Sequence, residues 1–357
     1  MKNGGILMSV QSEFLNFHKK IKLDYDVNSE LADKRDILVG ILRDSKKLPG
    51  FDILNQGSYS MYIGTEPLDG KEYDIDVGLR FNVNKSDYEP MELKNIIQEI
   101  LAYHTDYGAT IKKPCVTVTY KKDGEAAYHV DLVCYAYENK DNYDSQMYLA
   151  RGKDSTPDEI CWEKSDPKGL INYINNAVDE EQRPQYRRVI RYIKRWKNLK
   201  FDSNGHAEPA SIGITLIASD YFEAYANNDG LDDLNAVLSL AKKIKSLFVY
   251  VGINDKGRSL YRIKYPMPSG LNFEVDTDAF VKMTDSQMTD FKDKVEKLVD
   301  DLEKVKNEPD EVEQCKKLQK IFGTDFPVPE VENVSKKQKN CIPSSSASGV
   351  NLSYGNC

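Results

Sequence analysis

Asp74 and Asp76 stand two residues apart at the head of an apolar run, Ile75 to Phe81, and Gly57-Ser58 comes shortly before them, with Ser58 sixteen residues ahead of Asp74. In extended backbone, residues i and i+2 face the same side with about 6.5 to 7 Å between their Cα atoms, so the two carboxylates project together while Ile75 and Val77 enter the core. Adjacent anions repel unless a cation lies between them. Hard carboxylate oxygens suit magnesium or manganese, which complete their shells with substrate phosphates. A third carboxylate, Asp131, lies in Tyr128-His129-Val130-Asp131-Leu132-Val133, where alternation sets it beside His129 and Val133 on one face of a mostly apolar strand. A lone buried aspartate would be costly. With the two strands as neighbours, Asp74, Asp76 and Asp131 converge and can hold two ions roughly 3.5 to 4 Å apart, one to activate an attacking hydroxyl and one to neutralise leaving phosphates. That chemistry is nucleotidyl transfer. Gly57-Ser58 would add backbone N–H groups and a hydroxyl around the phosphates, glycine letting the chain approach closely.

A second group of charges lies at Arg183 to Lys200, where eight of eighteen residues are Lys or Arg. At helical spacing Tyr186, Ile190, Ile193 and Trp196 form an apolar stripe, and Arg187, Arg191 and Lys194 stack on an adjacent face where they could meet a triphosphate. Ser211, in Pro209-Ala210-Ser211-Ile212, follows as a further phosphate donor, so Lys194 and Ser211 could clamp the same phosphates. Two look-alikes carry less. Gly252 to Ser259 nearly spells a P-loop, but arginine stands where the lysine is needed, and the segment reads as a polar loop between elements. Asp276-Thr277-Asp278 repeats the D-x-D pattern without a preceding Gly-Ser or a later strand aspartate, and reads as structural.

The elements that must position these residues belong to a chain of 357 residues with 40% apolar and 30% charged residues, enough for a substantial core and about two domains by length. A formal net charge of -8 is the wrong balance for coating long nucleic acid. No apolar stretch approaches the roughly 18 residues of a membrane span, and Met1 to Val10 lacks a signal-peptide core, so the expectation is a cytoplasmic protein without a membrane segment. The six cysteines are scattered without a C-x-x-C pair and the four histidines without H-E-x-x-H, which argues against a disulfide framework and a zinc site and leaves oxygen ligands for any metal.

The first 48 residues read as helical, with Phe14, Phe17 and Ile21 on one stripe and Leu31, Leu38 and Ile41 on another after an Asn28-Ser29 cap, bracing a later sheet. Phe51 to Tyr137 is strand-rich, with Ile75 to Phe81, Val116 to Tyr120 and Tyr128 to Tyr137 as strands and Met91 to Tyr103 as an intervening helix, an α+β arrangement. Helical spacing returns at Pro167 to Ala177. Thr284 and Gln287 form a capping box ahead of the stripe Met288, Phe291, Val295, Leu298, Leu302, Val305. Another helix begins at Pro309 and ends near Gly323, after which a polar composition predicts a flexible tail. The expected domains are 1–160, a catalytic lobe with N-terminal helices, 161–330, a helical lobe, and 331–357, the tail.

Taken in order, Gln56-Gly57-Ser58-Tyr59, Glu72-Tyr73-Asp74-Ile75-Asp76, His129-Val130-Asp131, Ser165-Asp166-Pro167, the Arg188 to Trp196 helix and Ser211-Ile212 resemble the CD-NTases, the cGAS/DncV-like nucleotidyltransferases of the DNA polymerase beta superfamily. The resemblance covers roughly residues 51 to 220. It implies a DNA polymerase beta-like fold with a mixed-sheet lobe and a helical C-terminal lobe, and Asp74, Asp76 and Asp131 as ligands of two Mg2+ or Mn2+ ions. It also implies that Gln56, Gly57 and Ser58 lie at the donor phosphates, that Lys194 and Ser211 hold the triphosphate tail, and that Asp131 orients the attacking hydroxyl. The activity it implies is condensation of NTPs, ATP and/or GTP foremost, into a cyclic di- or trinucleotide second messenger that activates a separately encoded effector in bacterial antiphage (CBASS) defence. In some such systems a ubiquitin-transfer-like partner acts on the enzyme's C-terminus. The histidine and cysteine zinc insertion of the animal enzyme has no counterpart here, so no DNA activation is expected. The alternatives on the same fold are a transferase adding nucleotides to RNA or a small molecule, and an inactive nucleotide-binding scaffold.

Overall fold

In the computed structural model, which describes residues 10–23, 25–202, 207–227, 230–274 and 277–330, the chain opens with two helices, α1 (Gln11–Ile21) and α2 (Tyr25–Asp44). A strand-rich stretch follows: β1 (Phe51–Gln56), the one-turn helix α3 (Gly57–Ser60), β2 (Tyr73–Asn84), α4 (Pro90–Leu101), β3 (Ala109–Ile111), β4 (Val116–Lys122), β5 (Glu125–Tyr137), β6 (Met147–Arg151) and β7 (Cys161–Ser165). These seven strands form one sheet in the order β1-β2-β5-β4-β3, with β6 and then β7 added alongside the far end of β5. Its central pair, β2 and β5, is parallel, while the other pairings are antiparallel. The alternation of β2 sends Ile75, Val77, Leu79 and Phe81 inward, where they meet Val130 and Leu132 of β5, Leu31, Leu38 and Leu42 of α2, and Leu93, Ile97 and Leu101 of α4.

The second half contains α5 (Pro167–Asn175), α6 (Arg183–Lys200), α7 (Ser211–Tyr221), the short pair β8 (Ala226–Asn227) and β9 (Gly230–Leu231), α8 (Asp233–Ser246), the hairpin β10 (Val249–Ile253) and β11 (Ser259–Arg262), α9 (Asp285–Lys306) and α10 (Glu311–Phe322). The Thr284 side chain accepts from the Gln287 backbone N–H, so the capping box starts α9, and Met288, Phe291, Val295, Leu298, Leu302 and Val305 are all buried. Together with Tyr192, Ile193 and Trp196 of α6 and Phe322 of α10 they make a second core. The architecture is α+β, a mixed-sheet lobe followed by a helical lobe.

Several local expectations change. α2 starts at Tyr25, placing Asn28-Ser29 inside its first turns rather than at its cap. α2 braces the sheet, but α1 does not: Phe14 packs at a tilt and Phe17 stacks on Tyr192, with ring centroids 5.2 and 5.4 Å apart, and both join the helical core. α10 begins at Glu311, because the Asp310 side chain caps it by accepting from the Glu313 N–H at 2.8 Å. The near P-loop is the turn of the β10–β11 hairpin, with Asn254 Oδ1 accepting from the N–H groups of Lys256 and Arg258. Asp278 is a buried structural acceptor for the N–H groups of Tyr265 and Phe280, while Asp276 lies outside the described residues. So does the segment 331–357, read as a tail. Cys115, Cys134 and Cys161 are free thiols. Among the described residues no helix is long and apolar enough to cross a membrane.

Candidate active site

Parallel pairing of β2 with β5 sets Asp74 opposite His129 and Asp76 directly opposite Asp131. Because i and i+2 share a face, that register brings the oxygens of Asp74, Asp76 and Asp131 within 4.8 Å of one another. On the other side of β2, Gln56 closes the β1 pairing opposite Asp76. The chain then turns into α3 through Gly57, whose φ of +67° and position against Asp76 both require glycine: a Cβ there would lie 1.9 Å from Asp76 Oδ2. Gln56 itself is turned toward the sheet, its Oε1 accepting from the buried Tyr135 hydroxyl at 3.1 Å. It fixes the strand from which α3 departs.

The triad is electrostatically unfinished. Burial, then the charges of Asp76 and Asp131, push the Asp74 carboxyl up to about 8 although one side of it is open to solvent. Burial and the Asp131 charge push Asp76 up to about 6. The opposing influence on both is the Lys112 ammonium, 3.9 Å from Asp131 Oδ1. Three converging carboxylates with an all-oxygen donor set fit hard divalent cations such as Mg2+ or Mn2+. Asp131 is held in place from the opposite strand, where its cross-strand partner Thr117 donates a short hydroxyl hydrogen bond to Oδ1. Glu72 pairs with His129 at 2.6 Å beside the triad.

A cleft of about 730 Å³ opens above Asp74 and is also lined by Ser58, Lys194 and Ser211. The structure thus gathers one residue from each of four separate motifs. The cationic face of α6 is used differently from the sequence expectation. Arg191 donates to the carbonyls of Gly64 (2.9 Å) and Tyr62, and Lys194 donates to that of Ile63 at 3.0 Å. Arg187 lies over the Tyr62 ring and donates to Asn175. Buried cations need acceptors, and three successive carbonyls just after α3 supply them, so this face anchors the catalytic turn. Burial, with Lys197 and Arg191 nearby, lowers Lys194 to about 7. The lysine that reaches Ser211 is Lys197, whose Nζ donates to Ser211 Oγ at 2.8 Å and also pairs with Glu208. Sequence reasoning missed Lys197, although it lies one helical turn from Lys194, and missed Thr117 and Lys112, which carry no motif.

Residues 51–135 match the family described as "Cyclic GMP-AMP synthase DncV-like, nucleotidyltransferase domain". The matched stretch contains Gly57, Ser58, Asp74, Asp76 and Asp131 and is similar to that domain. The chain is 24% identical over 245 residues to a cyclic GMP-AMP synthase of Escherichia albertii, covering 65% of this chain and 51% of that one. It is 26% identical over 204 residues to a c-di-GMP synthase of Roseivirga ehrenbergii, covering 49% and 50% respectively. The chain thus spans about half the length of the curated relatives it matches. In structure it resembles the Vibrio cholerae DncV cyclic AMP-GMP synthase, with a TM-score of 0.67 at 17% identity over 89% of this chain and 97% of that one. The same enzyme in complex with the linear intermediate 5' pppA(3',5')pG gives a TM-score of 0.64 at 18% identity, covering 88% and 97%. At such identities the likeness establishes the fold.

Proposed function

We propose that this protein is a CD-NTase, a metal-dependent nucleotidyltransferase that condenses NTPs, ATP and/or GTP foremost, into a cyclic di- or trinucleotide with release of pyrophosphate. Its place would be the bacterial cytoplasm, in antiphage defence through a separately encoded effector. The observation that carries the reading is the register of β2 and β5, which converges Asp74, Asp76 and Asp131, with Asp74 lining a nucleotide-sized cleft. Both matched relatives are named as cyclic dinucleotide synthases, which supports the product class.

In this reading residues 1–160 carry the chemistry and 161–330 close the cleft. Asp74, Asp76 and Asp131 would hold two Mg2+ or Mn2+ ions, which when bound supply charge neutralisation at the phosphates and activation of the attacking hydroxyl. Thr117 keeps the Asp131 carboxylate aimed at that hydroxyl by engaging one of its oxygens. Ser58 and the backbone at Gly57, set by Gln56, cradle donor phosphates. Ser211, held by Lys197, and Lys194, one turn away on the same helix, hold the triphosphate tail. Incubating the purified protein with the four NTPs and Mg2+ or Mn2+, with and without added RNA, followed by phosphatase and mass spectrometry, tests the proposal. A phosphatase-resistant cyclic product is expected. A linear extension of added RNA, or no product, would overturn it.

A further inference from the structure

Two residues along an α-helix turn it by about 200°, so Trp196 and Lys200 leave α6 on the side opposite Lys194 and Asn198, which line the catalytic cleft. On that far side α6, α9 and α10 enclose a second cavity of about 480 Å³. Its floor is apolar, made by the buried residues Trp196, Leu298 and Ile321. Its walls carry Lys200, Lys294, Lys297, Lys304, Lys317 and Lys320, against one lining carboxylate, Asp301.

Six ammonium groups around one hollow are unexpected in a chain of net charge -8, and their pairing is incomplete. Lys297 and Lys304 share Asp301, at 2.8 and 3.2 Å, and Lys317 pairs with Glu308. Lys200 and Lys294 donate to backbone carbonyls, and among the described residues neither they nor Lys320 reach a carboxylate. Like charges held on a concave surface raise the local potential and favour an anion of several charges. All six are lysines, compact point charges of the kind that bind phosphate oxygens without a fixed fork geometry. The volume lies within the range of small-molecule sites, about 300 to 1,000 Å³.

We propose that this cavity binds a nucleoside polyphosphate, with the base and ribose on the Trp196, Leu298 and Ile321 floor and the phosphates among the lysines. The site adjoins the catalytic cleft through one ring: Lys294 Nζ lies 4.0 Å over Phe201, and Phe201 lines that cleft. The inference shares the nucleotide chemistry of the proposed function but none of its catalytic steps, so binding tests it apart from turnover.

The chain has two tryptophans. In the full-length Trp162→Phe protein Trp196 is therefore the sole reporter, and it is titrated with ATP in EDTA. A saturable fluorescence phase is expected, weakened at least tenfold by Lys297→Glu with Lys320→Glu, two exposed side chains whose replacement leaves the melting temperature in place. Inorganic tripolyphosphate, lacking base and ribose, should bind at least tenfold more weakly. Titration curves identical in the two proteins, no response to ATP, or tripolyphosphate binding as tightly as ATP would each overturn the proposal. A protein that turns over no NTP leaves this readout intact.

Discussion

Three carboxylates within 4.8 Å of one another make the metal-free site a point of repulsion. The sign of their pKa shifts says when that repulsion weakens the fold. Asp74 and Asp76 both ionise above their free-chain value of 3.8. Below that value both are neutral in folded and unfolded chains and cost nothing. Between 3.8 and about 6 for Asp76, or about 8 for Asp74, the unfolded chain ionises while the folded one keeps its protons, so stability falls as pH rises and the loss is complete above that range. Asp74→Asn with Asp76→Asn is therefore expected to abolish product formation while raising the melting temperature of the EDTA-treated protein at pH 8, by roughly 1 to 2 °C per kcal/mol of burial cost and repulsion relieved. The gain should vanish near pH 4. A lower melting temperature for the variant at pH 8 would count against the repulsive site, and retained turnover against the mechanism. Ser58 faces the same cleft without holding the fold together, so Ser58→Ala should slow turnover about 10²-fold with little change in stability. An unchanged rate in a steady-state assay would assign its hydroxyl to structure.

The α6 helix packs against α1, α7, α8 and α10 and holds the turn after α3, and its sequence disguises this. Eight cations in eighteen residues look like a solvated face, yet Arg188, Arg191, Lys194, Arg195 and Lys197 are all buried. They are satisfied by distant partners that no local pattern reveals: the carbonyls of Tyr62, Ile63 and Gly64, Glu208, Asp325, and above all Asp233. Asp233, fully buried at the start of α8, accepts from Arg188 Nε (2.7 Å) and Nη2 (2.8 Å), from Tyr192 Oη (3.0 Å) and from Gln185 Nε2 (3.0 Å). Removing one partner strands a buried charge, so Asp233→Ala should cost about 3 to 5 kcal/mol in denaturant unfolding. A loss below 1 kcal/mol would mean the pair is hydrated. The contrast marks what was legible. Period-2 alternation at Ile75 to Phe81 and Tyr128 to Tyr137, the D-x-D pair, the Arg183–Lys200 helix and the Thr284 cap were readable because each is a local signal. Strands β6 and β7, the lysine that reaches Ser211 and the hydroxyl that aims Asp131 were not, because each depends on what lies across a sheet or a cleft.

At the scale of the whole molecule, a boundary near residue 160 divides the sequence but not the cores. Phe14 and Phe17 of α1, together with Met61 and Ile63 just after the catalytic turn, belong to the helical core with Tyr192, Phe322 and Phe326. The N-terminal segment thus reaches across to the second lobe, and the second lobe, through Arg191 and Lys194, holds the turn that carries Ser58. Such interlocking keeps Ser211 and Asp74 on facing walls of one cleft rather than on two bodies free to drift apart. It also predicts that neither half is an independent folding unit. Residues 161–330 expressed alone should lack a cooperative thermal transition, and co-expression with residues 10–160 should restore one. In the full chain, Phe14→Ala and Phe17→Ala should each cost about 3 to 5 kcal/mol, a loss felt in the helical lobe despite the positions of both residues near the N-terminus. If the 161–330 fragment melts cooperatively on its own, the lobes are separable domains and the fixed geometry of the cleft must come from elsewhere.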